Sequence, residues 1–343
     1  MQNKTIFLYT FFLFIVASKL QASLSNEYFP QSLIQLDPYF NHHVIIAEKS
    51  THTLHLYENQ EGYPSHVKSY VMATGKKKGD KKVAGDHKTP EGIYTIRSFL
   101  SEQLLLSRYG KEGEIYGSGA FTLDYPNPID KMNLKTGGGI WLHSTNDESR
   151  IQKGLDSRGC VVVSNKDIKE ISKYIEIDKT TFIIVEKISY LKKDLWLKER
   201  KGLNNFLSNW LSAWKSEDLK NYISAYSGEN FYSPIKGSLK NYKQYKKAVF
   251  WRKGRPDIQM SHISIFKVGN HYRVRFIQDY KSSNINDSGV KTLYLEVNSN
   301  YQWKIIRERW SKLNNPKVAW QNAPLIYTPK MRFFGKESHK DSN

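Results

Sequence analysis

A single cysteine stands in the 343-residue chain, so no internal disulfide forms, and Cys160 is either a small buried apolar residue or a thiol with a task. Acid is also scarce, with 33 Asp and Glu against 52 Lys and Arg, a formal charge of +19. Such a balance favours anionic partners, with a solvated lysine surface as the plain alternative. Long apolar runs are missing. The longest, residues 6–17, is about half of the ~20 residues a spanning helix needs, and with Lys4 before it and Leu20-Gln21-Ala22 after it, residues 1–22 read as a cleaved signal peptide. The chain is therefore expected to be exported to the periplasm or cell envelope. There an anionic envelope surface, rather than nucleic acid, is the accessible partner. Histidines at metal spacing are lacking too: His42, His43, His52 and His55 have no acidic or cysteine partners suitably placed, so no metal or cofactor is expected.

What is present divides in two. After a polar arm at 23–41, strand-like alternation runs through residues 44–46, 54–57, 67–72, 92–99, 121–123, 140–142, 160–163 and 181–185. A turn at 58–62 and a basic, glycine-flanked loop at 76–82, expected to be flexible and exposed, interrupt it, as does one helix near 165–174 capped by Ser164 or Asn165. This half, 42–187, is predicted to be mostly antiparallel β. A charged connection at 188–200 follows. Leu203, Phe206, Leu207, Trp210, Leu211 and Trp214 then recur at helical spacing, with further helices near 219–226 and 238–251. Strands are predicted at 258–268, 271–278, 292–297 and 303–310, which makes 201–325 an α+β unit. Residues 326–343 read as a basic, loosely held tail.

Chemistry concentrates in Gly137-Gly138-Gly139-Ile140-Trp141-Leu142-His143-Ser144 and, seventeen residues after His143, in Ser157-Arg158-Gly159-Cys160. A thiol attacks a carbonyl as thiolate, yet its free pKa near ~8.5 leaves little thiolate at neutral pH. His143 can take the proton, and Arg158 can favour the anion. Gly159 permits a sharp turn that would aim the Gly159 and Cys160 N–H groups at an oxyanion. Asp124, Asp130 and Asp156 could assist His143, but their loops make solvated carboxylates the simpler expectation.

This arrangement resembles the L,D-transpeptidase catalytic domain, often called the YkuD domain. Thr74-Gly75-Lys76 and Thr89-Pro90-Glu91-Gly92-Ile93-Tyr94 extend the resemblance upstream. The resemblance implies a β-sandwich acting on peptidoglycan stem peptides. In that family the cysteine attacks the L-centre carbonyl of diaminopimelate, releases D-alanine and is left as a thioester. An amine then gives a 3,3-crosslink, and water gives a tripeptide. Carried over, Cys160 is the nucleophile and His143 the base. Ser144 orients the imidazole, and Gly159 shapes the loop together with Ser157. Ser157, Arg158, Trp141 and Arg150 are the candidate substrate contacts. Two positions depart from the pattern: Arg158 stands where many members have histidine, and Val162 where many have arginine. Arg158, Arg150 or the lysine loop would then meet the substrate carboxylate.

The second half resembles the NTF2-like fold, in Trp210-x-x-x-Trp214, Tyr272-Arg273-Val274-Arg275-Phe276 and Trp303-Lys304-Ile305-Ile306. That fold hosts enzymes, ligand pockets and dimer contacts, so it fixes no function, and a homodimer stays an expectation. The two halves together resemble the cell-shape-determining L,D-carboxypeptidases of helical bacteria. Three functions compete: L,D-transpeptidation, L,D-carboxypeptidation, and a non-catalytic wall-binding module. Intact His143 and Cys160 argue against the last.

Overall fold

The computed structural model describes residues 27–313 and 327–334. The expected signal peptide lies outside them. The first half is built on strands β1 (Tyr28–Pro30), β2 (Leu33–Gln35), β3 (His43–Glu48), β4 (Thr53–Gln60), β5 (Tyr63–Val71), β6 (Thr74–Gly75), β7 (Gly92–Ser101), β8 (Gly119–Leu123), β9 (Trp141–His143), β10 (Leu155–Ser157), β11 (Val161–Val162), β12 (Thr181–Val185) and β13 (Tyr190–Lys192). Eight of them form one sheet in the order β11-β9-β8-β7-β12-β3-β4-β5. The sheet is mixed: β12 runs parallel to β3, and β11 parallel to β9. Strands buried on both faces read as unbroken apolar runs, and β3 and β12 do so. One face carries Ile45, Leu56, Tyr94, Phe121, Leu142, Val161 and Phe182 into the catalytic core. The other sends Val44, Ile46, Ile93, Ile183 and Val185 against Leu33 and Phe266.

Helices punctuate this half more than the periodicity foretold. α1 (Glu102–Tyr109) and a 3-10 turn (Gly110–Tyr116) are inserted between β7 and β8, α2 (Pro128–Met132) and α3 (Ser149–Gln152) are single turns, and α4 (Asn165–Ser172) is capped by Ser164, whose hydroxyl accepts from the Asp167 N–H at 3.0 Å.

The second half begins with α5 (Lys193–Lys215), which absorbs most of the expected connection: Trp196 is fully buried and its Nε1 donates to the Leu33 carbonyl at 2.9 Å. α6 (Leu219–Ser224), a short hairpin β14 (Tyr232–Ser233) and β15 (Gly237–Ser238), and α7 (Leu239–Lys253) precede the meander β16 (Asp257–Val268), β17 (His271–Lys281), β18 (Asn286–Val297) and β19 (Trp303–Lys312). The sheet order is β19-β18-β17-β16-β2, so its fifth strand comes from the arm at the other end of the sequence. Trp210, Leu207 and Tyr222 close the helices over Val274, Phe276 and Leu293. The molecule is thus a mostly β domain followed by an α+β NTF2-like domain.

The halves meet through buried polar groups as well as apolar ones. Arg273 of β17 donates from Nη1 to Thr95 Oγ1 (2.9 Å) and from Nη2 to Thr181 Oγ1 (2.8 Å), and Arg275 reaches the Asp178 carbonyl at 2.7 Å. Beyond the meander, residues 328–332 are exposed, while Tyr327, Phe333 and Phe334 pack onto the first half. Tyr327 stacks on His42 with ring centroids 3.5 Å apart, and Phe333 lies against Phe99 and Phe121 in the catalytic core.

Candidate active site

Parallel pairing of β9 with β11 sets the site. Val161 lies opposite Leu142 and Val162 opposite His143, so Cys160, just ahead of β11, falls beside Trp141. The Trp141 N–H donates to the sulfur, and the thiol in turn donates to the Gly139 carbonyl at 3.3 Å. Burial pushes the thiol up to about 11, against the Trp141 hydrogen bond and the charges of Lys81 and Arg150. The resting group is therefore a neutral thiol. Lys81 and Arg150 are the cations that oppose the shift, and Arg158 lines both cavities beside the thiol.

His143 is buried, and its Nδ1–H donates to the Ser144 carbonyl at 2.5 Å, which leaves Nε2 with its lone pair. Burial lowers its pKa to about 4; the Ser144 hydrogen bond and Asp156 oppose the shift, and Arg150 adds to it. At neutral pH this imidazole is an acceptor. Ser144 also works through its hydroxyl, which accepts from the Ser118 N–H (2.8 Å) and donates to the Tyr116 carbonyl (3.2 Å). One residue thereby fixes both the base and the end of the 3-10 turn. Tyr116, unforeseen from sequence, stands edge-on to His143 and tilted on Trp141, with ring centroids 4.9 Å away in each case. The indole of Trp141 backs Tyr116, and Trp141 is not among the residues that line the two cavities at the thiol.

The loop before Cys160 is a closed turn. Ser157 Oγ donates to the Cys160 carbonyl at 2.6 Å and accepts from the Gly159 N–H at 3.0 Å. That second bond occupies the Gly159 N–H, which corrects the expectation that it faces an oxyanion and leaves the Cys160 N–H of that pair. Gly159 has φ +133°, and a Cβ there would sit 2.8 Å from the Lys88 carbonyl oxygen. Gly159→Ala is accordingly expected to lower turnover by roughly 100-fold or more, with a fall in melting temperature, because backbone strain and a misplaced nucleophile act together. Steady-state rates and a thermal melt check both.

Two cavities meet at the thiol. Cys160, Arg158 and Tyr116 line both. The smaller, of about 280 Å³, adds His143, Ser157, Lys76, Ile115, Arg150 and Asp156; the larger, of about 570 Å³, adds Lys81, His87 and the glycine run 137–139. Arg150 donates from Nε to Asp156 at 2.6 Å, so Asp156 is engaged rather than solvated. Asp124 and Asp130 are likewise engaged, accepting from the Thr95 N–H (2.7 Å) and pairing with Lys135 (3.0 Å), away from His143. In the basic loop Lys76, Lys77, Lys78 and Lys82 are exposed, as expected, but Lys81 is buried: Asp86 accepts from Lys81 Nζ and from the Lys82, Val83 and Lys88 N–H groups. Among the described residues no group of His, Cys, Asp and Glu could hold a metal ion, and no helix is long and apolar enough to cross a membrane.

A thiol and a neutral imidazole on adjacent parallel strands line one cavity. Residues 42–185 match the L,D-transpeptidase catalytic domain model, and residues 202–309 match the Cds6 C-terminal NTF2-like domain model. The chain belongs to this family of two-domain proteins and is an enzyme of the peptidoglycan-modifying L,D-transpeptidase and L,D-carboxypeptidase group. The structure of Bdellovibrio bacteriovorus Bd1075 is similar to it at 32% identity and a TM-score of 0.73, over 84% of this chain and 99% of that one. The helical cell shape determining protein Pgp2 from Campylobacter jejuni is similar at 28% identity and a TM-score of 0.66, over 82% and 95%. A search of the curated proteins returns no match.

Proposed function

We propose that this enzyme is an exported L,D-carboxypeptidase that trims peptidoglycan tetrapeptide stems to tripeptides, with Cys160 as nucleophile and His143 as base. The carrying observation is the smaller cavity, where the thiol and the imidazole are lined together with Lys76, Arg150 and Arg158. The thiol turns from the Gly139 carbonyl to His143 Nε2 and gives up its proton as the sulfur attacks the L-centre carbonyl of diaminopimelate. The Cys160 N–H supports the developing oxyanion. His143 then returns the proton to the nitrogen of the departing D-alanine, which places that residue in the cavity of His143, with its carboxylate near Lys76 and Arg150. Water enters where D-alanine left, loses a proton to His143 and adds to the thioester, and His143 passes that proton to the departing sulfur, which restores the neutral thiol.

Transfer to an amine shares every step up to the thioester, and the family resemblance puts it first. The lining of the acceptor side argues for water. An amine acceptor is an ammonium ion before it reacts, and three cations against the one carboxylate of Asp156 repel it. Similarity to a helical cell shape determining protein supports a role in cell shape for the same activity. Incubating the protein with disaccharide tetrapeptide and separating products by mass should yield monomeric tripeptide and free D-alanine. A 3,3-linked dimer as the main product would sink the choice of water, and an untouched substrate would remove the substrate assignment.

A further inference from the structure

The larger cavity contains a second imidazole that the proposed reaction leaves unused. His87 lies on the basic loop with a left-handed backbone, φ +58°, rare for a residue with a side chain. Two glycines hold that backbone in place. A Cβ on Gly75 would lie 2.4 Å from the His87 carbonyl oxygen, and one on Gly159 would lie 2.8 Å from that of Lys88. The Lys77 N–H donates to the His87 carbonyl at 3.1 Å. The 87–88 segment is therefore wedged between β6 and the nucleophile turn, so its position relative to Cys160 is fixed by packing. The ring is unusual as well: Nδ1 is buried with no hydrogen-bond partner among the described residues. A donor stranded there costs more than an acceptor, which favours the tautomer with the proton on Nε2, opposite to that of His143.

The rest of the lining fixes what such a donor meets. Lys81, Arg158, Tyr116, Cys160 and His87 are the polar residues of its lining, which includes no acidic residue. Lys81 is spent on Asp86 at 2.7 Å, whereas Arg158 is exposed and makes no ion pair among the described residues. A Cβ on Gly138 or Gly139 would meet nothing within 4 Å, so that wall borders open space.

We infer that His87 and Arg158 form a carboxylate-binding subsite for the acyl-donor stem, selecting the side-chain carboxylate of diaminopimelate on the side of Cys160 away from His143. The inference rests on the reaction proposed above, which seats the leaving D-alanine in the other cavity and so leaves this one to the donor.

The test compares a tetrapeptide stem with its analogue carrying a carboxamide in place of the diaminopimelate side-chain carboxylate. The wild-type enzyme should lose about tenfold or more in kcat/KM on the amide, the usual scale for a hydrogen bond to a charged group. In His87→Asn, which tolerates the left-handed backbone but is too short to reach, that preference should shrink to about threefold or less. His87→Gln, whose amide nitrogen stands near the place of Nε2, should restore most of it. Equal use of both substrates by wild type, or an equal loss on both in His87→Asn, would overturn the subsite. If wild type releases D-alanine from neither, the proposed reaction fails, and Kd values of the two peptides for Cys160→Ala then decide the subsite alone: a preference for the carboxylate keeps it, and none removes it.

Discussion

Cys160→Ala should abolish release of D-alanine, with kcat falling by roughly 10⁴-fold or more, while affinity for the tetrapeptide changes by no more than a few-fold. The sulfur forms and breaks the bond in every step of the proposed cycle, but it makes only a small part of either cavity. His143→Gln should approach the same loss for a different reason: the buried site offers no second acceptor on that side, because Asp156 is engaged by Arg150. A readout by mass of released D-alanine, beside a binding isotherm, separates loss of chemistry from loss of substrate. A variant that retains more than about one hundredth of the activity would show that the thiol is not the acyl carrier.

The second large effect is in the reactivity of the resting thiol. With the thiol pushed up to about 11 and His143 down to about 4, the pair rests as neutral thiol and neutral imidazole throughout the physiological range. Alkylation of Cys160 by iodoacetamide should therefore be slow at pH 7 and rise about tenfold per pH unit until near pH 11. A preformed thiolate–imidazolium pair would give a flat profile across neutrality, and that result would overturn the neutral ground state. Turnover behaves otherwise, because only the base must be unprotonated. His143 loses that state as pH falls through about 4, so kcat/KM should keep a plateau above that point and decline below it. Both profiles come from one enzyme preparation, by mass labelling and by initial rates.

Local pattern carried the sequence reading a long way. The meander of the second half, the helix of Leu203 to Trp214 and the apolar runs of β3 and β12 are legible because each states its burial within a few neighbouring residues. His143 and Cys160 are legible because strands and a turn of fixed length bring them to one cavity. What escaped is non-local or too short to have a period. A three-residue strand such as β2 gives no alternation to detect, and its pairing with β16 lies more than 200 residues away. The helix and 3-10 turn of 102–116 lie in a stretch broken by Gly110, Gly113 and Gly117, which gives no helical period, and Gly117 is required where a Cβ would strike Ser144, Thr145 and Asn165. The fixing of the basic loop rests on two acids, Asp80 and Asp86, among many lysines, and nothing in the run of lysines distinguishes Lys81 as the buried one.

The crossing of the chain's ends has a consequence for how the molecule holds together. An N-terminal strand completes the sheet of the second half, and Phe333 and Phe334 return to fill the core of the first. Each half is thus finished by sequence that belongs, by position, to the other. Cutting between residues 185 and 202 would not release two self-sufficient bodies. It would leave one sheet without its edge strand and one core without its aromatic plug, so the pair is expected to fold and unfold as one unit, and the thiol's surroundings to share in the stability of a domain that lines neither of the two cavities at the thiol.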